Sequence, residues 1–182
     1  MKATGIVRRI DDLGRVVIPK EIRRTMRIRE GDPLEIYTDR EGEVIFKKYS
    51  PIGELTSFAS QYAETLHKTC ELAVAICDRD AVIACSGVPK KEYADRRLSD
   101  QIEKLIEARS LYTYRPGEKR ISVTEDASDS HYACCVMPII TEGDVTGCVV
   151  SLAENADDNP PDELEIKLVQ TAASFLGKQL EN

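Results

Sequence analysis

GIVRRIDDLGRVVIPKEIRRTMRIREGD, Gly5 to Asp32, decides how this chain is read. GIVRRI (Gly5–Ile10) alternates as a strand, Asp11–Gly14 supplies a turn, and RVVIP (Arg15–Pro19) alternates as a second strand. Pro19 suits the first position of a short helix, where its missing N–H would be an orphan in any case. In that helix Ile22 and Met26 share one side at i, i+4, while Arg23, Arg24 and Arg27 project elsewhere. Arg29–Asp32 then breaks the helix. LEIYT (Leu34–Thr38) and EVIFKK (Glu43–Lys48) alternate around Asp39–Gly42 as a hairpin.

Charge separates this stretch from the rest. The 182-residue chain carries a formal −7 at pH 7. Residues 1–30 hold nine basic side chains (Lys2, Arg8, Arg9, Arg15, Lys20, Arg23, Arg24, Arg27, Arg29) against four acids (Asp11, Asp12, Glu21, Glu30), a net +5 that leaves −12 for the remainder. A basic head on an acidic body fits a polyanion partner for the head, and from charge alone it fits a solvated charged face equally well. Arg23 and Arg27 stand one helical turn apart, an unfavourable pairing of like charges unless an anion lies across them. A head of about 48 residues buries too little surface to be comfortable alone. It either leans on the rest of the chain or forms an obligate homodimer through residues 1–50. A two-fold dimer would double the basic surface and match two half-sites on double-stranded DNA.

Composition narrows the remaining classes. Hydrophobic residues make up 42% of the chain, enough for a packed core. No run approaches the roughly 20 apolar residues of a membrane span, and no signal-peptide core opens the chain, so a cytoplasmic protein without membrane attachment is expected. The six cysteines (Cys70, Cys77, Cys85, Cys134, Cys135, Cys148) show no C-x-x-C, and the sequence has no close pair of histidines, which argues against zinc. Buried structural thiols are expected instead, the adjacent Cys134 and Cys135 included. His67 and His131 lack the serine or carboxylate context of a catalytic base. No catalytic site, metal or cofactor is expected, and an enzyme is disfavoured. Lys90, Lys91, Arg96 and Arg97 form a second basic cluster, read as a solvated loop.

TGIVRRIDDLGRVVIPKEIRRTMRIREGDPLEIY closely resembles the DNA-binding domain of AbrB-type transition-state regulators, with KATGIVR and LGRVVIPKEIRRT the specific segments. The resemblance covers roughly residues 1–50. It implies an interleaved, swapped-hairpin β-barrel dimer that contacts DNA through Arg8, Arg15, Arg23 and Arg24. Arg9 lies beside them, but strand alternation places it on the opposite face from Arg8. The resemblance further implies transcriptional activation and repression in the developing spore. Swapped hairpins of this type also occur in antitoxins, which leaves a partner-binding antitoxin as the alternative.

Residues 51–182 read as α+β. Ser50 can cap a helix with Pro51 at its first position, and Ile52, Leu55, Ala59, Tyr62 and Leu66 recur at 3-4-3-4 spacing. That stripe suits either a cover for the sheet or a helical bundle between subunits, which would raise the dimer to a tetramer. LAVAIC (Leu72–Cys77) and AVIACS (Ala81–Ser86) form a hairpin through Asp78–Asp80. A helix follows near Ser99–Arg109, then a strand at Arg120–Thr124. HYACCVMPII (His131–Ile140) and VTGCVVSLA (Val145–Ala153) flank a turn at Glu142–Asp144, and Asn159–Asp162 opens a last helix. This order resembles a GAF domain, a small-molecule sensor fold, without the cyclic-nucleotide signature of some members. Two roles stay open for the body: binding a small-molecule effector, or assembly alone.

Overall fold

A computed structural model describes residues 4–126 and 130–181. It divides the chain into two compact units, Met1–Tyr49 and Ser50–Asn182. Ser50 goes with the second unit because its hydroxyl accepts from the Gly53 N–H at the start of a helix.

The first unit holds helix α1 (Lys20–Thr25) and an antiparallel hairpin of β1 (Leu34–Thr38) and β2 (Val44–Lys48). Two turns in it share one construction. The Asp11 carboxylate accepts from the N–H groups of Leu13 and Arg15, and the Asp11 N–H donates to the Arg15 carbonyl. The Asp39 carboxylate likewise accepts from Glu41 and Glu43, and its N–H donates to the Glu43 carbonyl. Gly14 and Gly42 take the left-handed position in each, at φ 75° and 86°. Only the second turn carries a paired ladder. Gly5–Ile10 and Arg15–Pro19, expected as strands, are not strands within one chain. A strand needs a partner for its backbone groups, and none stands opposite these arms among the described residues.

The helix also departs from expectation. Pro19 is its N-cap and not its first residue, and the helix ends at Thr25, before Arg27. Ile28 N–H reaches back to the Arg23 carbonyl and Arg27 N–H to that of Arg24, a Schellman end with Arg27 left-handed at φ 50°. The expected Arg23–Arg27 repulsion along one helical face therefore does not arise. Nor does Met26 bury a shared side with Ile22, since it lies half exposed at the helix end. Lys2 lies outside the described residues.

In the second unit one five-stranded antiparallel sheet runs β4-β3-β7-β6-β5. Its strands are β3 (Val74–Asp78), β4 (Val82–Ser86), β5 (Tyr112–Thr113), β6 (His131–Thr141) and β7 (Asp144–Glu154). Alternation sends Val74, Ile76 and Val149 to one face, where they pack with α2 (Pro51–Glu54), α3 (Thr56–Cys70) and α6 (Glu163–Gln179). Ala75, Cys77, Cys148 and Val150 face the other way. There they meet Tyr93 of α4 (Lys90–Tyr93) and Ile102 and Ile106 of α5 (Asp100–Glu107). Side-chain caps fix two of these helix starts: Ser99 caps α5 through the Ile102 N–H, and Asp162 caps α6 through the Glu165 N–H.

Three expectations for this unit need correcting. The 3-4-3-4 stripe is not one helix, because the chain breaks at Leu55 between α2 and α3. Ile52, Ala59 and Leu66 are core residues against the sheet. Arg120–Thr124 makes a single bridge from Thr124 to Leu98, and the edge strand is β5 instead. Strand β6 bulges between Ala133 and Cys135, so strict alternation fails at the cysteine pair.

Candidate nucleic-acid interface

All five candidate arginines are exposed. Arg8 and Arg9 lie on the arm that enters the first turn, and Arg15 lies where the chain leaves it. Arg23 and Arg24 sit side by side in α1, with Lys20 exposed at its start. A lone lysine opening a helix has no distinctive spacing, so nothing in the sequence singles Lys20 out beside the arginines. Arg23 and Arg24 also occupy the last helical turn, where cations complement the carbonyl end of the helix.

Arg15 has a side-chain partner within its own turn. Its Nε donates to Asp11 Oδ2 at 2.8 Å, an ion pair whose side chains are 68% and 35% exposed. The Arg15 N–H, followed by its guanidinium, holds the Asp11 carboxyl below the usual aspartate range. Asp11 was visible in the sequence only as a turn former. Its spacing to Arg15, four residues across a glycine, was the available signal for a pairing.

Behind α1 a partly buried lysine fixes the helix exit. Lys48 Nζ donates to the Arg27 carbonyl at 3.0 Å and lies 3.6 Å from the nearly buried Asp32 carboxylate, which also accepts from the Arg29 N–H. The short helix is thus tied to β2 by a charge pair rather than by a deep apolar core. Among the described residues of the first unit only Pro19 is buried. Val7, Ile10, Leu13 and Val17 are 86%, 69%, 70% and 71% exposed.

The second unit offers a different surface. Phe58 and Tyr62 of α3 and Phe175 of α6 form one aromatic cluster, with ring centroids 5.7–6.3 Å apart. Phe175 remains 39% exposed and Leu164 of the same helix 66%. A shallow depression of about 350 Å³ runs along α6 beside Phe175, between Lys167, Thr171 and Lys178. Arg120 stacks on Tyr132 at 4.7 Å and shares Asp158 with the Tyr114 hydroxyl, which pins the segment leading to α6. No trio of histidine, cysteine or acidic side chains among the described residues is arranged to hold a metal. The basic cluster Lys90, Lys91, Arg96 and Arg97 is exposed.

Comparison with known proteins places both units. Residues 54–181 match the family model described as stage V sporulation protein T C-terminal, transcription factor. Residues 7–53 match that of the antidote-toxin recognition protein MazE, a bacterial antitoxin. Stage V sporulation protein T of Bacillus subtilis (strain 168) is 51% identical over 181 residues, covering 100% of this chain and 99% of that one. The transition state regulatory protein AbrB of the same organism is 65% identical over 101 residues, 55% of this chain and 88% of that one. The second unit also resembles the PixJ GAF domain of Thermosynechococcus elongatus in fold, at 15% identity and a TM-score of 0.54 over 74% of this chain and 89% of that one. An AbrB-type head and a GAF-fold body, in one chain matched end to end, identify this protein as a member of the stage V sporulation protein T family of transcription factors.

Proposed function

We propose that this chain regulates transcription during sporulation by binding duplex DNA as a dimer of its head, residues 1–50. In this reading Arg8, Arg15, Arg23 and Arg24 contact the duplex, with Arg9 in support. The observation that carries it is the paired exposure in one small unit: five arginines on the surface, and apolar side chains that a second copy would cover. Two arms without strand partners and bare valines and isoleucines are what one half of an interleaved barrel would present. Closing the barrel would bury them and bring two sets of arginines onto one face. Guanidiniums then displace counterions from phosphates, and a planar fork can read guanine O6 and N7 in the major groove.

The body, residues 51–182, joins dimers in this account. The Phe58–Tyr62–Phe175 cluster supports that role, because it gathers aromatic surface from two adjacent helices at the outside of the unit. Association there would give a tetramer able to hold two DNA sites. The protein acts by binding in the cytoplasm and performs no catalysis. The antitoxin-type match concerns residues 7–53 alone, and the folded body after it favours the regulator.

The test is a salt titration of full-length protein on two duplexes: one enriched from a random pool by the wild type, and its scrambled counterpart. Each arginine that contacts a phosphate should, on replacement by alanine, flatten the plot of log affinity against log salt by about 0.9 per protomer. One that reads a guanine should cost roughly 1–3 kcal/mol on the enriched duplex only. Unchanged affinity and slope in Arg8→Ala, Arg15→Ala, Arg23→Ala and Arg24→Ala would remove the DNA-contact reading.

A further inference from the structure

We propose that Asp11 is a positioning residue for DNA recognition, whose single carboxylate builds the 11–15 turn and aims the Arg15 guanidinium at the duplex. The inference rests on the reading of Arg15 as a DNA contact.

The division of labour within the carboxylate carries the argument. Oδ1 accepts from the Leu13 and Arg15 N–H groups at 3.0 and 2.8 Å, which closes the turn. Oδ2 accepts from Arg15 Nε at 2.8 Å. That bond occupies one of the five guanidinium donors, and among the described residues the terminal amino groups have no partner. The four donors left over belong to the two terminal amino groups, whose fork matches a phosphate or the edge of guanine.

The second turn shows that the pairing is not needed for the fold. Asp39 makes the same bonds to Glu41 and Glu43, yet the residue in the position of Arg15 is Glu43, which cannot pair with it. Both members of the Asp11–Arg15 pair are substantially exposed, where ion pairs stabilise little. What remains for the contact to do is orientation. A long side chain loses rotamer freedom when it binds, and one already tethered loses less. A head built for charge alone would also do better without an acid beside its arginine.

The experiment measures binding of the full chain to the enriched and scrambled duplexes, with Asp11→Asn alone and combined with Arg15→Ala. Asparagine keeps an oxygen for the turn but presents no charge to Nε. Affinity for the enriched duplex should fall by about three- to tenfold per protomer, while the scrambled duplex binds as well or better because a negative charge has gone. In the Arg15→Ala background the same substitution should cost nothing further. Equal losses on both duplexes, no loss on the enriched one, or a full additional loss in the Arg15→Ala background would each overturn the inference. If Arg15→Ala alone binds like wild type, the contact itself is absent and the inference falls with it. A loss for Arg15→Ala without one for Asp11→Asn overturns the positioning role only. Circular dichroism checks folding, and Asp11→Ser, which retains a turn acceptor, serves under the same criteria if Asp11→Asn unfolds.

Discussion

Val17→Ser tests whether the head exists only as a dimer. Val17 is 71% exposed in the single chain, on an arm without a strand partner. On a monomeric surface this substitution should change stability by no more than about 0.5 kcal/mol. If instead a second copy covers the side chain, most of the burial energy of a valine is lost, about 1.5–2 kcal/mol per protomer. Two protomers double that to about 3–4 kcal/mol, or roughly 150- to 900-fold in the dimer dissociation constant. Free protomer varies as the square root of that constant, so its population should rise about 10- to 30-fold. The basic head is rich in trypsin sites, and cleavage under fast opening and closing tracks the open population. Digestion of full-length protein, followed as loss of the head from the fragment beginning at Tyr49, should accelerate by that factor. Wild-type cleavage should also slow as protein concentration rises. Equal cleavage rates for Val17→Ser and wild type, independent of concentration, would refute the covered-arm reasoning.

The body yields three further expectations. A Cβ at Gly147 would lie 2.0 Å from the Cys77 carbonyl oxygen, across the β3–β7 pairing of Asp78 with Gly147. Gly147→Ala should therefore cost at least about 3 kcal/mol in urea unfolding, the upper end of overpacking effects. Phe175→Ser should lower the oligomer by one step in native mass spectrometry while leaving the circular dichroism of the body intact, because its ring is exposed at the aromatic cluster. Cys70 is exposed, whereas the other five thiols are buried, and burial pushes both Cys134 and Cys135 up to about 12. At pH 8 one thiol per folded chain should react with a disulfide reagent, and all six after denaturation.

What the sequence disclosed depended on how much of each signal was local. The β6–β7 hairpin was legible because long apolar runs flank Glu142 and Gly143, which take φ 50° and 89° in the turn. The cap at Ser50 was equally plain, and the helix starts at Ser99 and Asn159–Asp162 fell where Ser99 and Asp162 cap, since capping is a matter between neighbours. Strand β5 has two residues and α4 has four, too few to show a period. The break at Leu55 was hidden because the 3-4 spacing runs on through it from Ile52 to Ala59. Arg27 ends α1 in a left-handed conformation that no glycine announced. The two head arms failed for a different reason. Their alternation was present, but a ladder is a property of two strands, and among the described residues no strand pairs with these arms.

The central claim is that DNA meets this protein at its head. Amide hydrogen exchange of the full chain, with and without the enriched duplex, tests it most directly, because two exposed basic regions compete for the assignment. The account predicts that DNA slows exchange in peptides spanning residues 5–27, with the segment carrying Lys90, Lys91, Arg96 and Arg97 unchanged. Protection at 90–97 with none at 5–27 would contradict it.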